Sequence, residues 1–235
     1  IAGGQHHGMP GWASGFCYLN EPVLTIRRLM ASGARRVFYL DIDAHFGDGV
    51  QMAFENDARV FTLSIHEQER WPQKRGSMPG EPGTREDRAG GEARNLPVPK
   101  ALNDTEFGVL IDRVVLVLMA DFDPDVVYLQ CGCDALADDP QSKLMLSNRA
   151  IWRAVRAVQQ AAKRLVVTGG GGYNPYAISR CWAGVWAILN DYDIPDGFTG
   201  TAQQVLRDVK WNHRSGRVPA EIWLTQMADE ANDGP

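Results

Sequence analysis

Short apolar runs alternate along this chain with longer stretches in which apolar residues recur at helical spacing. Four runs rich in branched and aromatic residues predict buried strands at 37–40, 60–65, 126–129 and 165–168. Helices are predicted at 22–31, 49–55, 104–120, 147–163 and 176–189, with weaker helical segments at 201–210 and 220–227. Strands and helices that alternate in this way predict an α/β fold, a three-layer αβα arrangement whose central sheet is mainly parallel.

The size and charge of the chain narrow its class. It has 235 residues, is 44% hydrophobic and carries a formal net charge of -5, which is typical of one globular domain over residues 1–235. A chain of this length buries a core without metal or disulfide staples, so a bound metal would serve function. The acidic balance, without a long block of Lys and Arg, argues against nucleic acid as a partner. No apolar run approaches the roughly 20 residues that span a bilayer, which argues against a membrane.

Three further features indicate the cellular location of the protein and the order of two of its segments. The four cysteines, at positions 17, 131, 133 and 181, lack C-x-x-C spacing, so we expect reduced thiols and a cytoplasmic location. Residues 67–96 form one long stretch without periodicity, which is typical of a binding rim or of a disordered segment. The polar tail from Asp229 is expected to fray.

Asp41, Asp43 and His45 follow directly after the predicted strand at 37–40. Residues two apart in an extended chain project to the same side, so these three side chains converge. Two carboxylates and an imidazole at the end of a buried strand would be costly to bury unless a cation lay among them. The triplet therefore indicates a metal site, and the alternative is a helix cap or a turn.

Two other groups follow predicted strands. Asp134 lies just past 126–129, and the segment 169–173, four glycines followed by Tyr173, lies just past 165–168. Ligands of open parallel sheets bind outside the carboxyl ends of the strands, so these groups are expected in one crevice. Asp43, His45 and Asp134 would leave a fourth position open, as in catalytic zinc sites. Because zinc lowers the pKa of bound water to about 7, such a site suits hydrolysis.

The adjacent pair His6 and His7 is a candidate for proton transfer, because imidazole titrates in the required range. Asp41 and Asp48 are the carboxylates near the metal strand that could orient the two rings. Tyr173 is a candidate donor to an oxyanion. The alternatives are a solvated histidine pair and a tyrosine that anchors packing.

Other sequence patterns point away from competing sites. The glycine run has no Lys-Ser or Lys-Thr after it, so a P-loop is excluded, and it fits the dinucleotide fingerprint poorly. His66 and His213 are interpreted as structural or exposed residues.

Taken in order, His6-His7, Asp41-Ile42-Asp43-Ala44-His45, Gly132-Cys133-Asp134 and the segment 169–173 resemble the zinc-dependent histone deacetylase superfamily, most closely its bacterial acetoin-utilisation type. The resemblance extends from Gly3 to about Leu189. It implies an arginase-deacetylase fold and removal of an acetyl or acyl group from an acylated amine such as acetyl-lysine. Family members carry a further segment before the position of His6, so the chain is expected to be N-terminally truncated and its sheet to expose an edge.

The resemblance also implies roles for individual residues. The zinc ligands would be Asp43, His45 and Asp134, His6 would pair with Asp41, and His7 with Asp48. His7 would be the general base and Tyr173 the oxyanion donor. Substrate would be bound by Gly15, Phe16, Trp71, Gln141 and Gly171. A monovalent cation, K⁺ or Na⁺, would be bound by Asp41, Asp43, His45, Ser64 and Ile65, with a second cation around Phe54, Asp57 and Val60.

Two positions depart from the family pattern. Phe46 stands where many members have a second His that is not a metal ligand. Gln141 occupies a rim position where an apolar residue is common and an acidic one marks polyamine specificity, so the amine is left open. The oligomeric state is also left open.

Three other functions compete with acyl-lysine hydrolysis. One is hydrolysis of an acetylpolyamine or a small acylated amine. Another is a binuclear manganese ureohydrolase, which would need a further carboxylate where Gly132 stands. The third is a truncated ligand-binding module that does not catalyse a reaction.

Overall fold

The computed structural model describes residues 1–212 and 218–234, so the interpretation of His213 lies outside the described residues. Its sheet has five parallel strands in the spatial order β3-β2-β1-β4-β5. Their bounds are β1 Val37–Asp41, β2 Val60–Glu67, β3 Ala93–Val98, β4 Val126–Gln130 and β5 Leu165–Thr168. The four predicted strands are thus confirmed to within two residues at each end.

Helices cover both faces of this sheet. They are α1 Glu21–Ala31, α2 Asp48–Phe54, α3 Asp104–Leu110, α4 Leu116–Phe122, α5 Asn148–Ala161, α6 Pro175–Leu189, α7 Gly200–Asp208 and α8 Glu221–Thr225. The helix predicted at 104–120 is interrupted by a π-helical turn, Ile111–Val115. At its start Asn103 and Glu106 form a reciprocal capping box, in which each side chain accepts a hydrogen bond from the other residue's backbone N–H.

Alternation along β1 explains the three layers. Phe38 and Leu40 pack in the larger core, beneath α3 to α6, whereas Val37 and Tyr39 pack in a second core with Ile26 of α1. Successive residues of a strand point to opposite faces, so one buried strand supplies both cores. The predicted αβα architecture is confirmed. No helix within the described residues is both long enough and apolar enough to cross a membrane.

The structure corrects the interpretation of residues 67–96. Glu67 ends β2, and residues 93–96 begin β3, so the long loop covers only 68–92. β3 is an edge strand with the sequence ARNLPV and has no apolar alternation. Its buried Asn95 is held by polar contacts, and Nδ2 donates to Oε1 of Gln51 at 2.8 Å. Hydrophobic periodicity does not detect a strand that is held by contacts of this kind.

Residues 229–234 are held by hydrogen bonds, contrary to the expectation that the tail frays. The carboxylate of Asp229 accepts a hydrogen bond from the backbone N–H of Asn148 at 3.0 Å. The backbone N–H of Asn232 donates to Oδ2 of Asp104, also at 3.0 Å. These contacts tie the tail to the first backbone N–H of α5, which has no partner within that helix, and to the carboxylate of Asp104 at the start of α3.

Candidate active site

Asp43, His45 and Asp134 meet at the carboxyl ends of β1 and β4, as the sequence predicts. Each offers one ligand atom, and these three atoms all lie within 4.8 Å of one another. Nδ1 of His45 lies 2.8 Å from Oδ2 of Asp134 and 3.2 Å from Oδ1 of Asp43. Asp43 and Asp134 are fully buried, so the cluster has the convergence and the donor set of a metal site.

The electrostatics of the cluster fit a cation. Burial disfavours the charged imidazole, yet the hydrogen bonds and charges of Asp134 and Asp43 raise the pKa of His45 to about 10. Burial together with the charge of Asp43 raises the pKa of Asp134 to about 6. The two buried carboxylates thus stabilise a positive charge between them. A divalent ion bound by these oxygen and nitrogen atoms would supply that charge.

Backbone and side-chain donors hold the two carboxylates in place. Oδ2 of Asp43 accepts hydrogen bonds from Nε2 of Gln130 at 2.9 Å and from the backbone N–H of Gly171 at 2.7 Å. Oδ1 of Asp134 accepts one from the backbone N–H of Ala44 at 2.8 Å. Gln130 was not among the site residues predicted from the sequence, and its only sign there is an amide side chain at the end of an apolar strand.

The histidine pair lies beside this cluster, and each ring has its own carboxylate. Nδ1 of His6 lies 2.7 Å from Oδ2 of Asp41, and Nδ1 of His7 lies 2.7 Å from Oδ1 of Asp48. Against burial, the charges of Asp41 and Asp43 raise the pKa of His6 to about 9. Burial and the neighbouring His6 instead lower the pKa of His7. The two environments therefore favour a charged His6 ring beside a neutral His7 ring.

Tyr173 stands where two cavities meet. It lines a small chamber of about 140 Å³ together with both histidines, the three clustered ligands and Gly171. It also lines an open mouth of about 850 Å³ with Gly15, Phe16, Trp71 and Gln141. Burial and the nearby carboxylates raise its pKa, so the hydroxyl keeps its proton. Of the five residues implied to bind substrate, Gly15, Phe16, Trp71 and Gln141 line the mouth, whereas Gly171 lines the adjoining chamber.

Glycines let the backbone approach the buried carboxylates. A methyl group on Gly171 would overlap Oδ2 of Asp134, and one on Gly132 would overlap Oδ2 of Asp43. Gly132 therefore has no room for the further carboxylate that a second metal would need at this position.

The family resemblance implies that one set of residues binds a monovalent cation. Two of them are neighbours in the sheet, but no observation tests whether a cation binds there. Asp41 is paired with Ser64 in the β1–β2 register. Oγ of Ser64 lies 3.0 Å from Nδ1 of His66, which is buried and structural, as interpreted from the sequence. In the second group, the carbonyl groups of Phe54 and Asp57 accept backbone hydrogen bonds from Asp57 and Val60, both at 3.0 Å. Both cation sites stay predictions.

Comparison with known proteins agrees with this geometry. A family model described as histone deacetylase domain matches residues 1–189. A putative histone deacetylase 2 of Caenorhabditis elegans is 39% identical over 204 residues, which cover 85% of this chain and 39% of that protein. Human histone deacetylase 1 is 36% identical over 198 residues, which cover 83% of this chain and 40% of that protein.

Solved structures resemble the chain over almost its whole length. The crystal structure of an HDAC homolog from Aquifex aeolicus has a TM-score of 0.89 and 34% identity, covering 99% of this chain and 62% of that one. An HDAC homolog complexed with SAHA has a TM-score of 0.90, 34% identity and the same coverage.

Fold and site together define an α/β protein of the arginase-deacetylase fold, with a metal-type cluster at the carboxyl end of its parallel sheet. The chain belongs to the histone deacetylase family. It spans about two fifths of the length of the curated relatives described above.

Proposed function

We propose that this chain is a zinc-dependent amidohydrolase that removes an acetyl or acyl group from an acylated amine. The observation that carries the proposal is the convergence of Asp43, His45 and Asp134 within 4.8 Å of one another on the wall of a chamber that His6 and His7 also line. Family membership and the resemblance to an HDAC homolog complexed with SAHA support it.

The three clustered residues would hold the metal. Bound zinc would supply a Lewis acid that polarises the amide carbonyl and lowers the pKa of a water molecule. The pair of buried carboxylates fits a divalent ion better than a neutral ligand. Gln130 and the backbone N–H of Gly171 keep Asp43 oriented toward the cluster.

Residues of the chain would carry out the proton transfers of the reaction. His7 lines both the open mouth and the chamber, whereas His6 lines only the chamber and lies against Asp41. His7 is therefore placed to take a proton from attacking water and to return one to the departing amine, with Asp48 holding its ring through Nδ1. The Tyr173 hydroxyl donates a hydrogen bond to the oxygen that becomes negatively charged.

The mouth would hold the acyl-amine stem. Phe16 and Tyr173 form one wall, with ring centroids 6.0 Å apart, and the Trp71 ring lies 4.7 Å from that of His7. Gln141 brings an uncharged amide to the rim, so the rim carries no acidic group at the position that marks polyamine specificity. The same mouth is lined by Arg70, Arg75 and Lys100 as well as by Glu67 and Glu69, a net positive balance that favours a neutral acyl-lysine type of stem over a cationic acetylpolyamine.

The proposal is tested by hydrolysis of three substrate sets: acetyl-lysine peptides, acetylpolyamines and small acylated amines. The zinc-loaded full chain should release acetate from the first set, with matched reactions of the Asp134→Asn variant as the control. Arginine belongs in the same panel, because urea release from it would favour the ureohydrolase. Zinc and SAHA binding without hydrolysis of any substrate would favour the non-catalytic binding module.

A further inference from the structure

Asp139 is a buried carboxylate that the proposed reaction does not use. It lies in the segment between β4 and α5, with 4% of its surface exposed. Its Oδ2 accepts a hydrogen bond from the backbone N–H of Tyr173 at 2.6 Å. Its Oδ1 accepts one from the backbone N–H of Gln141 at 2.7 Å. One carboxylate therefore holds two walls of the pocket that come from separate loops.

The neighbouring residues connect the same two loops a second time. Nδ2 of Asn174 donates to the carbonyl oxygen of Asp138 at 3.1 Å. Oδ1 of Asn174 accepts from the backbone N–H of Tyr176 at 3.1 Å, within the first turn of α6. The backbone on the far side of Tyr173 is thereby bound both to the Asp139 segment and to α6.

Tyr173 needs such an anchor because of what precedes it. Residues 169–172 are all glycines, which offer no side chain to pack and which have the widest backbone freedom. The backbone of Gly171 is held by Asp43 and by the backbone N–H of Cys133, but no side chain of the glycine run packs against the pocket. A carboxylate that accepts the Tyr173 N–H supplies a further fixed point immediately after the run.

Keeping this carboxylate costs free energy. Burial and the charge of Asp134 raise the pKa of Asp139 to about 7, although its two backbone hydrogen bonds act in the opposite direction. A buried acid is retained at such a cost only where its hydrogen bonds serve the fold or the site.

We propose that Asp139 is a positioning residue, which sets the place of the Tyr173 hydroxyl and of the Gln141 rim through their backbone N–H groups. The inference rests on the proposed function, since the Tyr173 hydroxyl acts in that reaction. A group held out of place by about 1 Å can lose about a hundredfold in rate, so loss of the anchor should be visible in turnover.

The test compares Asp139→Asn with Asp138→Asn in the zinc-loaded full chain. Asn keeps the shape of Asp139 but presents an NH₂ group to one of the two backbone N–H donors, so one hydrogen bond is lost. Asp138 is the neighbouring control, because its carboxylate accepts a hydrogen bond from Nε1 of Trp223 in α8 at 3.1 Å. Asp139→Ser, which keeps one acceptor, serves if Asp139→Asn does not fold.

Two readouts separate positioning from general destabilisation. Asp139→Asn should lower kcat by about tenfold or more and change KM by a smaller factor, through the Gln141 rim, and the loss in kcat should nearly disappear when Tyr173 is already Phe. An equal loss in both backgrounds would overturn the proposal. Amide hydrogen exchange gives a readout that needs no substrate, so it decides this inference even if the chain hydrolyses nothing. Exchange should accelerate at Tyr173 or Gln141, at whichever backbone N–H faces the new NH₂ group, but not in β1, and unchanged exchange at both residues would also overturn it.

Discussion

Nδ1 of His7 lies 2.7 Å from Oδ1 of Asp48, which is the first residue of α2. The contact turns the other ring nitrogen of His7 away from Asp48 and fixes which nitrogen carries the proton. Because His7 lines both the mouth and the chamber, this orientation decides whether the ring can exchange protons with a substrate.

Replacement of His7 should remove the general base without disturbing the metal cluster. We expect His7→Gln to lower kcat by about a hundredfold or more, because general acid–base catalysis contributes about 10²- to 10⁴-fold. The measurement is steady-state hydrolysis by zinc-loaded protein, with zinc content as the control. A variant that keeps its zinc and full turnover would exclude His7 as the base.

Replacement of Tyr173 should remove the oxyanion donor. Tyr173→Phe deletes only the hydroxyl and keeps the ring beside Phe16, so the pocket wall stays in place. We expect kcat to fall by about 10²- to 10³-fold with a small change in KM, as for other single oxyanion donors. Phe16→Leu is the comparison: it should raise KM more than it lowers kcat. An unchanged kcat in Tyr173→Phe would assign the tyrosine to packing.

Gly132 should tolerate no side chain. A methyl group there would overlap the carboxylate of Asp43, so Gly132→Ala is expected to displace a metal ligand and to lower stability by about 1–3 kcal/mol. Gly200→Ala is the matched control, because a methyl group at Gly200 meets no atom within 4 Å. Zinc affinity and chemical denaturation of both variants check this. Equal zinc affinity in the two would show that the cluster adapts to the methyl group.

His66 should make folding sensitive to acid. Nε2 of this buried ring donates to the carbonyl oxygen of Gly83, at 3.0 Å, and burial lowers its pKa from 6.5 to about 4. Between pH 4 and pH 6.5 the His66 ring therefore binds protons more readily in the unfolded chain than in the folded one. Its titration leaves the free energy of unfolding unchanged above pH 6.5 and lowers it as the pH drops toward 4. The loss attributable to His66 is about 3 kcal/mol over that window.

The His66 contribution is isolated by difference. Urea unfolding of wild type and His66→Gln at pH 7, 6, 5 and 4 cancels the titration of groups that the two proteins share. The wild-type profile should fall more steeply below pH 6.5, because only the wild type must keep this ring neutral. Parallel profiles would mean that His66 accepts a proton in the folded state.

The segments predicted correctly from the sequence are those whose apolar pattern matches their place in the folded core. β1 is apolar on both faces, and Asp41, Asp43 and His45 continue its two-residue spacing into the site, so strand and ligands were found together. β3 was not found, because Asn95 and Pro97 break the apolar pattern and the strand depends on pairing with β2.

The supporting contacts were harder to predict than the ligands. Gln130 reaches Asp43 across 87 positions of sequence, and Asp139 reaches Tyr173 across 34. Such partners are set by how β1, β4 and β5 lie side by side, and neither propensity nor periodicity carries that information. The pairing of His7 with Asp48 was implied by family resemblance, because 41 residues separate the two in sequence.

The central claim is that two buried carboxylates and one imidazole bind a single catalytic zinc ion. The most direct test is metal content after equilibrium dialysis against zinc, measured by mass spectrometry for wild type and for Asp134→Asn. We expect about one zinc ion per wild-type chain, and loss of that ion when Asp134 can no longer offer a carboxylate. A wild-type chain that retains no zinc, or a variant that retains as much as the wild type, would contradict it.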